Sequence, residues 1–368
     1  MADENRLLGV AVLGVGRMGR RHALNTAFFT PRARLVAVCD PIEACLQWAE
    51  ENLPASVRRQ TDFQQIFDDP QVQAVVIATE TSSHARLAVE ALRAGKHVLL
   101  EKPISINPRD SEPVLAAAKE NEVEGLKLKC MVGLSRRFDE SYKEVKRQID
   151  AGLLGTPYLI KSATNDMYDP SGFFVKFSEA SGGLIVDCGI HDIDMARWLF
   201  GLTTAVTTSD CDDAPRVKRV FSTGLSVRHP ELAKTNDADN AICVVEFTGG
   251  KVLDFHLSRT GLHGHDCLTE VFGSERKVIV NGNPTINRVE IRDQHGVRTE
   301  STPTYYERFR EAFVTEVNEF VACCLDDTVV PVSLDDAVQA GKIADALTHA
   351  FRTGKQVLFG DDGEAIYE

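Results

Sequence analysis

Through the first third of the chain, short apolar runs alternate with stretches whose apolar positions recur every three or four residues. The runs lie at 7–13, 34–39, 74–78, 96–100 and 126–132. Unbroken apolar runs of this length mark strands buried on both faces. Helical patterns fill the gaps at 18–27, 43–52, 62–68, 83–94 and 107–121, and the fourth stops at Gly95, a helix-ending glycine. This alternation predicts a doubly wound parallel sheet, expected to have six strands although five apolar runs mark them. The style changes near 131–133. A helix is expected over 136–151, a strand over 157–163 and a central helix over 182–200. After that the period falls to two. Strands are expected at 217–221, 241–247, 252–259, 268–272, 277–280, 289–292 and 297–301, with glycine-containing turns at 248–250, 273–275 and 294–296. Two amphipathic helices, 305–325 and 334–351, close the chain. The fold class is α/β, with one domain over 1–131 and a second over 132–368. The second is an α+β domain with a large, mainly antiparallel open sheet. A sheet this open is covered by helices or by another subunit, so a homodimer or homotetramer built through it is expected.

Composition narrows the function. A length of 368 residues suits two domains. A formal net charge of −13 argues against a nucleic-acid-binding surface and suits a small-molecule enzyme. No apolar run approaches the roughly 20 residues that span a bilayer, and the start, MADENRLLG, is too acidic and too short for a signal peptide. Nine cysteines without C-x-x-C spacing read as reduced thiols in a cytoplasmic protein. The adjacent Cys323 and Cys324 read as helix packing. No internal repeat or low-complexity segment interrupts the pattern.

The first apolar run leads into Gly14-Val15-Gly16-Arg17-Met18-Gly19, a strict G-x-G-x-x-G. Such glycines permit a tight turn, close approach of the backbone to a pyrophosphate, and helix-against-strand packing. The helix that follows offers its positive N-terminus to phosphates. Asp40 ends the second run 21 residues after Gly19, where an acidic residue bonds the adenosine ribose hydroxyls. A carboxylate there repels a 2′-phosphate, which favours NAD over NADP, although Arg17 could contact a phosphate. Asp40 read in isolation is a helix cap before Pro41. Thr79, at the end of the 74–78 run, lies where α/β sheets place ligands. His84 either neighbours the nicotinamide or is a plain helix-start residue. The 96–100 run ends in Glu101-Lys102-Pro103, where a lysine facing the cofactor cleft can polarise a hydroxyl or join a proton relay, or is a solvated surface lysine, and the proline can fix the local backbone through a cis bond. The expected cofactor contacts are thus Gly14, Gly16, Arg17, Met18, Gly19, Asp40, Thr79, His84, Glu101 and Lys102.

The central helix, GGLIVDCGIHDIDMARWL, carries Asp187 and His191 four residues apart. On a helix that spacing stacks two side chains on one face. A carboxylate beside an imidazole is a proton-handling pair, because histidine titrates near neutral pH. Read alone, Asp187 is a helix-start residue and His191 a packed core histidine. Arg136 and Arg137 either hold substrate hydroxyls or sit on the surface. Thr164-Asn165-Asp166 is a polar cluster at a strand end. His263 and His265 form an H-x-H pair; only Asp266 adds a ligand at suitable spacing for a metal and hydride transfer to a nucleotide needs none, so no metal is expected and His265 is a substrate candidate.

Three separated stretches, GVGRMGRRHA, AGKHVLLEKP and GGLIVDCGIHDIDMARWL, together resemble the glucose–fructose oxidoreductase/inositol dehydrogenase/MocA family, over nearly the whole chain. VGLSRRFDESY is most similar to the inositol 2-dehydrogenase branch. The resemblance implies a Rossmann domain followed by an α+β substrate domain. It implies NAD(P)-dependent oxidation of a secondary ring alcohol of a cyclic polyol to a ketone. It assigns the catalytic lysine to Lys102 and the catalytic aspartate and histidine to Asp187 and His191. Its substrate contacts fall on Lys102, Arg136, Thr164, Asp166, Asp187 and His191. Two departures bear on the substrate. Glu80 stands where a small residue or proline is common, and His263-Gly264-His265-Asp266 stands where the inositol branch often has Tyr-Gly-Tyr-Asp. The alternatives are a dehydrogenase of an aldose, anhydrosugar or dihydrodiol, and a non-catalytic dinucleotide-binding regulator.

Overall fold

The computed structural model describes residues 6–123, 125–203 and 216–367; the first five residues of the N-terminal stretch lie outside them. The chain divides into two compact units, Met1–Phe138 with Glu311–Val338, and Asp139–Arg310 with Gln339–Glu368. A single cut at 131/132 does not describe this division. The first unit takes back 311–338 because that segment packs on it. Arg32 pairs with Asp326, Asn318 donates to the Phe29 carbonyl, and Arg137 pairs with Asp336.

In the first unit, strands Leu8–Leu13 (β1), Ala33–Cys39 (β2), Arg58–Gln60 (β3), Ala74–Ile77 (β4), His97–Glu101 (β5) and Cys130–Gly133 (β6) form a sheet in the order β3-β2-β1-β4-β5-β6. Every neighbouring pair is parallel. β1 and β4 are buried throughout, as continuous apolar runs require. β3, of sequence RRQ, is missing from the hydrophobic pattern because it is a largely exposed edge strand. Helices Arg17–Phe28 (α1), Glu43–Asn52 (α2), Phe63–Phe67 (α3), Thr81–Arg93 (α4) and Glu112–Val123 (α5) connect the strands. The strand order reverses between β1 and β4, and ligands bind beyond the carboxyl ends of strands at such a switch point. Gly14 follows β1, Asp40 follows β2, Thr79 lies beyond β4 and Lys102 follows β5. One sheet edge therefore gathers the expected cofactor residues.

The second unit opens with helix Glu140–Asp150 (α6), capped by Asp139, whose Oδ1 accepts the Ser141 and Tyr142 amides at 3.1 and 3.3 Å. Strand Pro157–Met167 (β7) runs four residues further than expected, so Thr164 and Asp166 lie inside a strand. Helix Phe173–Ser181 (α7) was not expected. The central helix begins as a π-helical turn, Ile185–Gly189, and continues as Ile190–Leu199 (α8). Strands Val217–Leu225 (β8), Asn240–Phe247 (β9), Lys251–Gly261 (β10), Asp266–Gly273 (β11) and Lys277–Val280 (β12) follow. Among the described residues, Ile291–Asp293 (β13) and Gly296–Arg298 (β14) pair only with each other. Helices Tyr305–Asp326 (α9) and Leu334–Thr353 (α10) each contribute to both units. Strands Val357–Phe359 (β15) and Ala365–Ile366 (β16), too short to announce themselves, extend the sheet. Its order is β12-β11-β7-β10-β9-β8-β15-β16. All described pairings are antiparallel except β7 with β10. One face buries Ile160, Val220, Cys243, Val245, Leu253, Phe255 and Leu257, whereas the other leaves Phe221, Ile242, Ile279, Leu358 and Ile366 exposed.

Candidate active site

The glycine loop has the shape a dinucleotide needs. Gly14 sits at φ +84°, and a Cβ there would come 2.7 Å from the Ala78 carbonyl oxygen. A Cβ on Gly19 would overlap the Gly14 carbonyl oxygen, so the first and last glycines are needed for packing. Gly16 is the opposite case: nothing lies within 4 Å of its Cβ position. This exposed, unobstructed backbone at the start of α1 fits an incoming pyrophosphate. Arg17 is exposed and Met18 half-buried beside it. Asp40 is buried; its Oδ2 accepts the Val15 amide at 2.7 Å and its Oδ1 the Ile42 amide at 2.9 Å. The carboxylate thus supports the glycine loop and caps its own turn at once.

Lys102 follows β5 and is partly exposed, and the Lys102–Pro103 peptide is cis. Its neighbours turn inward. Glu101 is buried, with Oε1 2.6 Å from His22 Nε2 and Oε2 accepting the Lys102 amide at 3.3 Å. His84 is buried in the first turn of α4, its Nδ1 2.8 Å from the Pro103 carbonyl oxygen and its Nε2 3.2 Å from that of Thr79. Burial lowers its pKa. The structure therefore sets Glu101 and His84 as braces around the Lys102 turn rather than on its open side. Thr79 bonds Ser83, and Glu80 is exposed.

In the second unit, the central helix carries the sharpest signal. From Leu184 to Arg197 every described position is buried except Asp187 and His191. The two open positions are the acid and the base expected from the sequence. The local π-turn, an irregularity frequent at functional sites, contains Asp187. Gly189 permits the turn to lie against β10, since a Cβ would meet Leu257 and Phe255 at 3.1 Å.

Asp187 is anchored by a residue the sequence reading passed over. Arg259 Nη2 lies 2.5 Å from Asp187 Oδ2, and the guanidinium stacks 4.2 Å from the Phe174 ring centroid. Arg259 is 1% exposed. Burial disfavours its charge, but the Cys188, Asp187 and Asp166 neighbours more than offset this and raise its pKa. The available signal was a charged residue falling in period with Leu253, Phe255 and Leu257, on the apolar face of its strand. Asp166 lies beside it, with Oδ1 3.0 Å from His265 Nδ1. Burial opposes ionisation of both. The hydrogen bond nonetheless holds Asp166 below the usual carboxylate range and lifts His265 to about 9. His265 is therefore a buried cation bound to Asp166, whereas His263 is exposed, 3.6 Å from Asp266. Thr164 is buried and gives its hydroxyl to Asp192 Oδ2 at 2.7 Å, with Ser162 bonded to the other oxygen. Arg136 and Arg137, in the first unit, are both buried, which overturns the surface reading; Arg137 serves Asp336 and the Pro331 carbonyl.

Comparison with known proteins decides the family. Residues 8–127 match the oxidoreductase family's NAD-binding Rossmann fold, and residues 146–359 match its C-terminal alpha/beta domain. The chain belongs to the glucose–fructose oxidoreductase/inositol dehydrogenase/MocA family. It is 33% identical over 347 residues to a scyllo-inositol 2-dehydrogenase (NAD(+)) of Bacillus subtilis, covering 94% of this chain and 95% of that one. It is 29% identical to a myo-inositol 2-dehydrogenase of Thermotoga maritima, over 93% and 94%. A crystal structure of scyllo-inositol dehydrogenase from Lactobacillus casei with bound NAD(H) and scyllo-inositol matches with a TM-score of 0.87 and 29% identity, over 96% of this chain and 99% of that one. The protein is an oxidoreductase with an NAD-binding Rossmann domain. Among the described residues, no helix is long and apolar enough to cross a membrane.

Proposed function

We propose that this protein oxidises a secondary ring alcohol of a cyclic polyol to a ketone, with NAD as the hydride acceptor. The observation that carries the reading is the pair Asp187 and His191, left open in the otherwise buried stretch from Leu184 to Arg197, in a chain whose relatives are named for inositols. Bound nicotinamide supplies the hydride acceptor. His191 takes the hydroxyl proton as general base. Asp187, fixed by Arg259, orients the imidazole or holds a neighbouring hydroxyl. Lys102 holds the reacting oxygen and stabilises its developing charge. The loss of hydride from carbon and of a proton from oxygen together make the ketone. Arg136, Asp166 and His265 shape the substrate side of this assignment, Asp166 and His265 through their mutual ion pair.

The finer cofactor preference is NAD over NADP. Asp40, fixed by two backbone amides at the end of β2, places negative charge where NADP carries its 2′-phosphate. A second copy of the chain covers the exposed apolar sheet face of Phe221, Ile242, Ile279, Leu358 and Ile366. Light scattering is expected to report a homodimer or homotetramer, and Ile242→Asp to weaken it; a monomer would remove the oligomer from the proposal. A cytoplasmic setting agrees with the free thiols, including Cys130, Cys188, Cys243 and Cys267.

The deciding experiment is the initial rate of NAD reduction across myo-inositol, scyllo-inositol, glucose, galactose and xylose, repeated with NADP and with His191→Ala. One inositol with NAD is expected to dominate, and the variant to lose about 10²–10⁴-fold in turnover with NAD binding kept. Activity on an aldose alone would move the substrate class. Dinucleotide binding without turnover on any of them would favour a regulator.

A further inference from the structure

Behind Lys102, three chemistry-bearing side chains from distant parts of the sequence meet out of water. His22 comes from α1, Glu101 from the end of β5 and Glu316 from α9. One ligand-type atom from each lies within 4.8 Å of the others, and all three residues are buried. Glu316 is 0% exposed, and among the described residues neither of its carboxyl oxygens has a hydrogen-bond partner. Glu101 has two, His22 Nε2 and the Lys102 amide.

Two carboxyls this close in a dry site cannot both ionise. The partners decide which one keeps a proton. Glu101 sits against two donors, so it is the anion. The His22 hydrogen bond and the Lys102 charge overcome its burial and hold its pKa down. Glu316, with burial and the Glu101 charge both against ionisation, is pushed well above the carboxylate range. The groups facing it are His22 from α1 and Glu101 from β5, with Lys102 and His84 acting on Glu101 from beyond. A shared metal ion fits the geometry poorly. His22 Nε2 and Glu101 Oε1 are 2.6 Å apart, closer than the roughly 3 Å that two ligands at about 2.1 Å from one ion keep between them.

We propose that Glu316 is a positioning residue for Lys102: it carries the single proton of this two-carboxyl site and so leaves Glu101 as one anion, clamped between His22 and the Lys102 amide. His22 lies on the helix that opens at the glycine loop, and Glu101 immediately precedes Lys102. The clamp therefore ties the phosphate-binding helix to the turn that presents the lysine, with His84 holding the far side of that turn through the Pro103 carbonyl. Loss of the Glu316 proton would put a second charge beside Glu101 and force the clamp open. The inference rests on the assignment of Lys102 as the catalytic lysine.

The test combines carboxyl NMR and kinetics on the full-length protein. With ¹³C-labelled glutamate carboxyls, wild type is expected to show one glutamic acid still protonated at neutral pH, and Glu316→Gln to lack that signal. In kinetics, Glu316→Gln cannot ionise and is expected to move the alkaline fall of kcat to higher pH. Glu101→Gln is expected to lower kcat by about 10-fold to 10²-fold, as a misplaced catalytic group does. Absence of a protonated carboxyl in wild type would overturn the proposal without need of any variant. So would a chelator-removable, stoichiometric divalent metal held by these three residues. Wild-type turnover with superimposable pH profiles for wild type and Glu316→Gln would overturn the positioning role alone. No wild-type turnover on any polyol or sugar would overturn the reading of Lys102 and the positioning role with it.

Discussion

In the nucleotide-binding unit, two carboxyls and one imidazole are buried together; in the second unit, Asp166 and Asp187 face His265 and Arg259. The second cluster matches acid to base one for one: Asp187 on Arg259 at 2.5 Å and Asp166 on His265 at 3.0 Å. In the first, Glu101 has His22 at 2.6 Å, and among the described residues Glu316 has no partner. Desolvation opposes charge in both places. Where opposite charges are matched, the ions persist and fix geometry. Where they are not, a proton fills the deficit. The balanced cluster is thus a rigid mount for Asp187, and the unbalanced one stores a proton behind Lys102.

The comparison breaks most visibly at Arg259. Arg259→Met leaves Asp187 without its cation and removes a positive charge beside Asp166, and a loss of about 3–5 kcal/mol is expected in urea denaturation. A loss below about 1 kcal/mol would mean that the second cluster is not held by charge balance. The next effect is pH-dependent. His265 is raised from 6.5 to about 9, so the stability it contributes is complete below pH 6.5 and disappears as pH rises to about 9. Asp166 is held below 3.8, so its contribution is complete above that value and disappears on acidification. Wild type should therefore lose stability between pH 6.5 and 9, by an amount of order 1–3 kcal/mol, and His265→Gln should not. Parallel stability–pH curves would refute the ion pair. The smallest effect is expected in the first unit. Glu316→Gln replaces an acid that is already neutral, so stability at pH 7 should stay within about 1 kcal/mol of wild type. A large loss there would show that Glu316 is an ion after all, and that the two clusters obey one rule.

Much of the scaffold was legible in the order of residues. α2 ends where its pattern ends, and both closing helices lie within a few residues of expectation. The misses have common causes. β3 is polar and exposed, so burial left no mark on it. β15 and β16 are shorter than any period can show. β7 continues through Thr164-Asn165-Asp166 because the first and last of these polar side chains find partners inside the unit, Asp192 for Thr164 and His265 for Asp166.

Local order alone determined that this chain makes a glycine loop after a buried strand, a lysine at the end of another, and an acid and a base one turn apart on a helix. Each depends on neighbours within a few residues, where φ/ψ preference and apolar periodicity act. Only the tertiary structure decided what each polar group does. Arg259 is 72 residues from Asp187, and His265 is 99 from Asp166. Glu316 lies beyond β7–β14 in the chain and still reaches Glu101. Which carboxyl keeps a charge and which keeps a proton depends on donors brought within about 3 Å, and chain order does not specify that distance for residues so far apart.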